Sequence, residues 1–280
     1  MQRVQAILES GGINARLTPT AAPGHATELA AQAVADGADL VIAMGGDGTV
    51  NEVLNGMANQ KVPLAVIPAG TANVFCCETG IPRQPEKAAR LLPEWVEATV
   101  ALGWLRFVKG PSRYFLCMAG AGFDAAIVQR VEPSVKRRLG KLAYWSAGFA
   151  AFGEKLAILR ARADGEERLT GFALTSRVRN YGGDLSIATK ASLFADRFEL
   201  VTFNGRSTIP YTIYLAGAAI ACATRMPGVN SLLTRKVELT AENGATVYIQ
   251  ADGEAAGQLP VTIEIAPAAL TVLVPPQARK

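Results

Sequence analysis

The stretch 41-VIAMGGDGTVNEVLNGM-57 contains an apolar run, a cluster of three glycines and an aspartate, and a helical pattern, in that order. Residues 40–44 predict a buried strand of the kind found inside parallel sheets. A helix that begins near Val50 would carry its apolar residues on one face: Val50, Val53, Leu54 and Met57. Glycines permit backbone conformations in which consecutive N–H groups converge on an anion. The cluster therefore fits a phosphate-binding turn or an ordinary tight turn, whereas the alternating oxygen ligands of a calcium loop are missing.

A second turn of the same kind follows the next strand. Residues 64–67 are apolar, and 68-PAGTANVF-75 predicts a turn that opens a helix. Because parallel strands end at one edge of their sheet, both turns should lie at the edge where open α/β folds bind ligands. We expect Thr49 to cap the helix and to donate to a phosphate. The spacings of dinucleotide-binding and P-loop motifs are absent.

The remaining pattern divides the chain near residue 98. A helix over 2–10, a short strand over 14–20 and a helix over 24–37 complete an α/β region. Later segments alternate with period two and predict an antiparallel β-sandwich, with strands at 97–102, 114–118, 156–163, 169–178, 198–203, 231–240, 246–251 and 261–265. A DG turn in 163-ADGEER-168 predicts a hairpin. Helical patterns interrupt the strands at 124–148 and 209–224.

Composition excludes several classes of protein. The net charge of +4 is too small to indicate nucleic-acid binding. Four cysteines without CxxC spacing and the single His25 supply no zinc site, and they suit a reducing cytoplasm. The N-terminus lacks the apolar core of a signal peptide. The uncharged span 207–224 is too polar for a membrane-spanning helix.

The motifs together resemble a known family. The runs GGDGTVNEVLNGM, PLAVIPAGTANVF and TGIP, followed by 119-AGAGFDA-125, 180-NYGGDLSIATKASLFADRFEL-200 and 251-ADGEAAGQLP-260, are similar to the catalytic domain of diacylglycerol kinases, sphingosine kinases and soluble bacterial lipid kinases. The resemblance implies a three-layer α/β nucleotide-binding domain of the NAD-kinase and phosphofructokinase type over residues 1–98. It implies a C-terminal antiparallel β-sandwich for substrate and metal over 99–280, with ATP in the cleft between the domains. The chain starts inside the family's first helix, so the family's first strand is expected to be missing.

The resemblance also implies site residues. The nucleotide contacts fall on Thr20, Gly46, Asp47, Gly48, Thr49, Val50, Asn51, Glu52 and Thr71. A magnesium loop matches 193-LFADRF-198, with the Asp196 side chain and the carbonyls of Leu193 and Phe198 as ligands, although Arg197 stands where the family usually has glycine. Glu254 of 252-DGE-254 would accept the proton of the substrate hydroxyl. Asp47 is the rival base, or the holder of the catalytic magnesium.

Several interpretations stay open at this point. The expected activity is an ATP- and Mg²⁺-dependent kinase of a lipid alcohol, most simply a diacylglycerol-like one. The alternatives are an NAD kinase, which shares the GGDGT turn, and a non-catalytic nucleotide- or lipid-binding protein. By spacing alone, 252-DGE-254 predicts a hairpin turn and Asp196 a strand-turn residue. The segment 134-SVKRRLGKLAYWSAGFAAF-152 fits either a solvated helix or a basic helix on anionic lipid. The oligomeric state is open, a homodimer being one option.

Overall fold

The computed structural model describes residues 1–123, 125, 156–182, 185–204 and 226–279. The chain forms two compact units. The first comprises Met1–Leu102 and Pro267–Lys280, and the second comprises Gly103–Ala266. The boundary between residues 98 and 99 stays a prediction. Apart from Ala125, the helical patterns at 124–148 and 209–224 and the basic segment 134–152 lie outside the described residues.

The first unit is a mixed α/β structure. Its elements are α1 (Gln2–Ser10), α2 (His25–Ala35), β1 (Val41–Gly45), α3 (Asp47–Met57), β2 (Leu64–Pro68), α4 (Val74–Thr79), α5 (Pro85–Leu91), a 3-10 turn (Leu92–Glu94) and the start of β3 (Val96–Phe107). Strands β1 and β2 are parallel, with Gly45 opposite Pro68. The last strand of the chain, β16 (Val261–Val274), pairs in parallel with β2 through Val272 and Leu64.

The core of the first unit follows the predicted periodicity. All five residues of β2 are buried, and α3 buries the four apolar residues that the pattern placed on one face. Helix α2 packs closely against α3 at Gly56, where an added Cβ would lie 2.2 Å from the Thr27 carbonyl oxygen. Gly56 therefore lets the two helices approach, and this contact fixes α3 behind the glycine turn.

Two local predictions in this unit are wrong. Residues 14–20 form no strand and are mostly exposed, and the Ala15 carbonyl accepts a hydrogen bond from the Gln5 side chain. No strand in the described part of the chain pairs with these residues. Helix α3 begins at Asp47, three positions before the predicted start at Val50.

The second unit is the expected β-sandwich. It contains the end of β3, the start of β16 and β4 (Arg113–Phe115), β5 (Met118–Gly122), β6 (Leu159–Ala163), β7 (Glu166–Thr170), β8 (Phe172–Ser176), β9 (Asn180–Tyr181), β10 (Leu185–Ser186), β11 (Phe198–Phe203), β12 (Val229–Thr234), β13 (Lys236–Ala241), β14 (Tyr248–Ala251) and β15 (Glu254–Gln258). One sheet has the order β12-β11-β8-β5-β14-β15, and the other contains β16-β13-β6-β7. A continuous apolar core includes Phe115, Phe198, Val237 and Ile263.

Three long predicted strands are each two strands in the structure. The segment 169–178 is divided between β7 and β8, and 231–240 between β12 and β13, because the chain passes from one sheet to the other there. At both crossings a threonine hydroxyl donates to the carbonyl two residues later: Thr170 to Phe172 at 2.8 Å and Thr234 to Lys236 at 2.9 Å. The segment 114–118 is likewise divided between β4 and β5.

Within the described ranges, no helix has the length and apolar character that crossing a membrane requires.

Candidate nucleotide site and catalytic hairpin

The glycine cluster is the link between β1 and α3. Gly46 precedes the helix in an extended conformation (φ −90°, ψ −176°), and no side chain caps it. Asp47, Gly48 and Thr49 form the first helical turn, so the prediction that Thr49 caps the helix is wrong. The first N–H groups of a helix have no acceptor within the helix, and they carry its positive dipole end. The turn is therefore suited to bind an anion.

The glycines are needed for space rather than for unusual backbone angles. None of Gly45, Gly46 and Gly70 has a positive φ, contrary to the expectation from the sequence. A Cβ added to Gly70 would lie 2.4 Å from the Gly46 Cα, and one added to Gly45 would lie 2.5 Å from the Thr49 Cβ. The β1 and β2 turns thus touch through their backbones, as expected for two turns at one sheet edge.

Asp47 joins these two turns. The N–H of Val74, at the start of α4, donates to Asp47 Oδ1 at 2.7 Å. Asn73, which was not among the predicted site residues, closes the second turn from within. Its Oδ1 accepts from the Gly70 N–H at 3.0 Å, and its Nδ2 donates to the Gly70 carbonyl at 2.7 Å. Asn73 has an αL backbone (φ 48°), a region that asparagine tolerates, so the residue type before α4 was the signal that the sequence offered.

Cys76 is a buried cysteine in α4, close to Asp47. Burial raises the pKa of Cys76, and the negative charge of Asp47 raises it further. Cys76 is therefore a neutral thiol at physiological pH, and it serves as a small core residue behind the turn.

The other predicted nucleotide contacts have varied surroundings. Glu52 accepts the Ala26 N–H at 3.1 Å, so its carboxylate caps α2. Val50 is buried, and its N–H donates to the Gly46 carbonyl at 3.0 Å. Asn51 is fully buried. Thr71 is exposed in the second turn, and Thr20 is exposed in the segment before α2. The structure thus brings together Gly46, Asp47, Gly48, Thr49 and the Gly70–Thr71 turn.

The 252-DGE-254 element is a tight hairpin between β14 and β15, as its spacing predicted. Asp252 (φ 49°) and Gly253 (φ 83°) both have positive φ, as a type I′ turn requires. The Asp252 carboxylate accepts three backbone N–H groups, from Leu116 at 2.8 Å, Cys117 at 2.8 Å and Met118 at 3.0 Å. Glu254 is the first residue of β15 and is half-buried. The turn that presents Glu254 is therefore held rigidly.

The predicted magnesium loop has a different partner. The fully buried Arg177, directly after β8, donates from Nη2 to the Leu193 carbonyl at 2.5 Å and to the Ala195 carbonyl at 3.4 Å. Burial lowers the pKa of Arg177 to about 10, so it stays cationic at neutral pH. The Asp196 side chain is 55% exposed and lies 3.8 Å from Arg235 Nη2.

Phe198, the third predicted ligand, is fully buried at the start of β11. The surroundings of Leu193 and Asp196 do not fit a magnesium ion. The Leu193 oxygen already accepts a hydrogen bond from a cation, and Asp196 lies beside another. Magnesium requires near-octahedral oxygen ligands at about 2.0–2.1 Å. Among the residues that the structure describes, no group of three or more His, Cys, Asp or Glu side chains is arranged to hold a metal.

Comparison with known proteins assigns a family to each of the two parts of the chain. Residues 1–104 match the family described as diacylglycerol kinase catalytic domain, and residues 117–274 match that described as YegS C-terminal NAD kinase beta sandwich-like domain. A protein named diacylglycerol kinase from Mycobacterium tuberculosis H37Rv is 30% identical over 256 residues, which cover 89% of this chain and 81% of that protein. A protein of the same name from Bacillus subtilis 168 is 30% identical over 265 residues, covering 90% and 83%.

Solved structures show the same fold. The crystal structure of a diacylglycerol kinase from Bacillus anthracis Sterne superposes with a TM-score of 0.78 over 99% of this chain and 92% of that chain, at 21% identity. A second structure from that organism superposes with a TM-score of 0.82. At such identity the likeness establishes the fold alone.

Proposed function

Because the chain belongs to the diacylglycerol kinase catalytic domain family, we propose that it is an ATP-dependent lipid kinase. It transfers the γ-phosphate of ATP to the hydroxyl of a lipid alcohol, with a diacylglycerol-like acceptor favoured by the names of its relatives. The observation that carries the proposal is the backbone contact between Gly46 and Gly70, which joins two phosphate-type turns at one sheet edge.

The nucleotide phosphates bind at the start of α3 in this proposal. The N–H groups of Asp47, Gly48 and Thr49 donate to phosphate oxygens, and the helix dipole adds favourable charge. Glycine at positions 45, 46 and 70 removes the side chains that would hold a phosphate away from this backbone. Thr71 and Thr20 remain proposed contacts through their exposed hydroxyls.

Glu254 is the proposed general base. As the substrate oxygen bonds to the γ-phosphorus, the bond from phosphorus to the leaving oxygen of ADP breaks, and the carboxylate takes the hydroxyl proton. Phosphoryl transfer depends chiefly on alignment, and for this reason a base on a rigid hairpin is favourable. The three N–H groups bound to Asp252 support this role, because they fix the turn beside Glu254.

Asp47 is the proposed holder of the catalytic magnesium. The family implies a divalent cation with ATP, and that ion would neutralise charge on the phosphates. Asp47 stands in the phosphate turn, and its Oδ1 bond to Val74 fixes the carboxylate there. The residue therefore has the chemistry and the rigidity to hold the ion, directly or through water.

The experiment that tests this function is transfer from γ-labelled ATP to a panel of acceptors. Diacylglycerol and sphingosine are presented in mixed micelles with an anionic lipid, and NAD is offered in solution. We expect labelled phospholipid from diacylglycerol, with no labelled NAD. Label on NAD alone would overturn the lipid-kinase proposal. ATP binding with no transfer to any acceptor would favour a non-catalytic binding protein.

A kinase that acts on a lipid must reach its substrate at a membrane surface. We propose a cytoplasmic protein that contacts the membrane surface transiently while it phosphorylates its substrate. A homodimer stays a prediction.

A further inference from the structure

Arg177 is a buried cation whose guanidinium donates to backbone carbonyl oxygens. Its guanidinium is fully buried, and it donates to carbonyl oxygens of two segments. Leu193 and Ala195 belong to the 193–198 loop, whereas Leu116, at 3.5 Å from Nη1, belongs to the link between β4 and β5. The backbone N–H of Arg177 also donates to the Cys117 carbonyl at 2.8 Å. One residue therefore fixes two loops at once.

The hydrogen bonds from the Arg177 guanidinium to carbonyl oxygens resemble the binding of carbonyl oxygens to a metal cation. A structural cation in a protein organises loops by attracting carbonyl oxygens that would otherwise repel one another. A guanidinium does the same with five N–H donors in a fixed plane, and it remains charged when buried. The difference is that its charge is covalently part of the chain, so no ion has to be bound.

The guanidinium also excludes a metal ion from the loop. It donates a hydrogen bond to the Leu193 carbonyl oxygen, and its positive charge would repel a Mg²⁺ ion bound to the same oxygen. Arg197 is adjacent to Asp196 in the chain, and Arg235 lies 3.8 Å from its carboxylate. The Asp196 carboxylate, the side chain of this loop that could replace water on magnesium, therefore already lies beside a cation.

The same segment connects Arg177 to the catalytic hairpin. Residues 116–118 donate three N–H groups to Asp252, which begins the turn before Glu254. On its carbonyl side this segment accepts from Arg177. A displacement of Arg177 would therefore reach Glu254 through one backbone segment and one carboxylate.

We propose that Arg177 takes the place of a structural metal ion in this chain. It holds the 193–198 loop and the 116–118 segment, and through Asp252 it positions the hairpin of Glu254. The 193–198 loop and the 116–118 segment are accordingly organised without magnesium. The structural part stands by itself, whereas the effect on catalysis rests on the proposed kinase function.

The structural part is tested with magnesium alone, without nucleotide. We expect millimolar Mg²⁺ to leave the melting temperature of the wild-type protein equal to that in EDTA, and calorimetry to show no binding. A magnesium-dependent rise in melting temperature that Asp196→Asn abolishes would overturn the proposal.

Arg177→Lys tests the positioning role, because it keeps the charge and removes the planar fork. Amide hydrogen exchange should accelerate in 193–197, 116–118 and 252–254, and Mg²⁺ should not reverse it. Arg168→Lys, on the exposed face of the same unit, is the matched control and should exchange as wild type. Acceleration confined to 193–197 would contradict the connection to Glu254. If Arg177→Lys does not fold, Arg177→Gln, which keeps a planar donor, takes its place.

The catalytic consequence is separated by kinetics. Arg177→Lys should lower kcat by about tenfold to a hundredfold, the size expected for a base displaced by about 1 Å, and should leave the KM for ATP unchanged. If kcat and the affinity for ATP fell by the same factor, the variant would be generally destabilised, and the positioning role of Arg177 would be refuted. If the wild type has no kinase activity, the proposed function fails, but the magnesium and exchange results still decide the role of Arg177.

Discussion

Gly70 has no room for a side chain, because its Cα faces the Cα of Gly46 across the two turns. In Gly70→Ala the new methyl would lie 2.4 Å from the Gly46 Cα, so the turns must separate. We expect a loss of about 1–3 kcal/mol in the free energy of unfolding, as for other overpacked sites, and at least a tenfold weaker ATP affinity. Denaturant unfolding and calorimetry measure the two effects. Ala69→Ser, at the exposed neighbouring position, is the control. Equal ATP affinity in both variants would contradict phosphate binding by the two turns.

Asp47 combines a structural and a functional role that two substitutions separate. Asp47→Ala removes the acceptor of the Val74 N–H, and a lost helix cap costs about 0.5–2 kcal/mol. Asp47→Asn keeps an oxygen acceptor, so its stability should stay close to wild type. Its ATP affinity should nevertheless lose its dependence on Mg²⁺, because the charge is gone. Magnesium-dependent ATP binding that is unchanged in Asp47→Asn would remove Asp47 from the cation site.

At the scale of elements, the β6–β7 hairpin carries a pH-dependent ion pair. The pKa of Glu167 is lowered, first by its hydrogen bond with Arg162 and also by Arg160. A carboxylate whose folded pKa is lowered contributes stability above its unfolded pKa, and that contribution is lost as pH falls through the folded value. We expect Glu167→Gln to melt slightly below wild type at neutral pH, and the difference to vanish well below pH 4.5, the ordinary value. A difference that persists in acid would contradict the ion pair as its cause.

Sequence periodicity predicted most strands of this unit but not their ends. Alternation continues through Thr170 and Thr234, where the chain leaves one sheet for the other, since both sheets bury one face in the same core. The turns were more predictable, because 164-DG-165 and 252-DG-253 both need two residues with positive φ. The glycines before α3 were expected to adopt unusual backbone angles, whereas the structure needs them for close approach to a second turn that no local pattern contains.

At the scale of the whole molecule, motif order predicted the family and the fold, whereas it could not predict the role of Arg177. The 193–198 loop carries the acidic residue of a magnesium loop, and only the fold brings to it an arginine 16 positions earlier in the chain. An arginine directly after the buried segment 172-FALTS-176 was the available signal. A local motif does not reveal the proposed replacement of an ion by a side chain, because the side chain comes from a distant part of the sequence.

The chain contains its own control for the proposed role of Glu254. Two hairpins of the second unit share the turn Asp-Gly-Glu, at 164–166 and at 252–254, and both have positive φ at Asp and Gly. Glu166 is paired with Arg168 on an exposed strand, whereas Glu254 is half-buried. The same substitution can therefore be made in the same turn with and without the proposed catalytic role.

The most direct measurement is transfer of labelled γ-phosphate to diacylglycerol by the wild type, Glu254→Gln and Glu166→Gln, each at saturating ATP and magnesium. A general base typically contributes about 10²–10⁴-fold to the rate. We predict that Glu254→Gln loses kcat by that factor while its ATP affinity is retained, and that Glu166→Gln matches the wild type. Equal rates in the two variants would remove Glu254 from the chemistry, and no transfer by the wild type to any lipid alcohol would contradict the proposed kinase function.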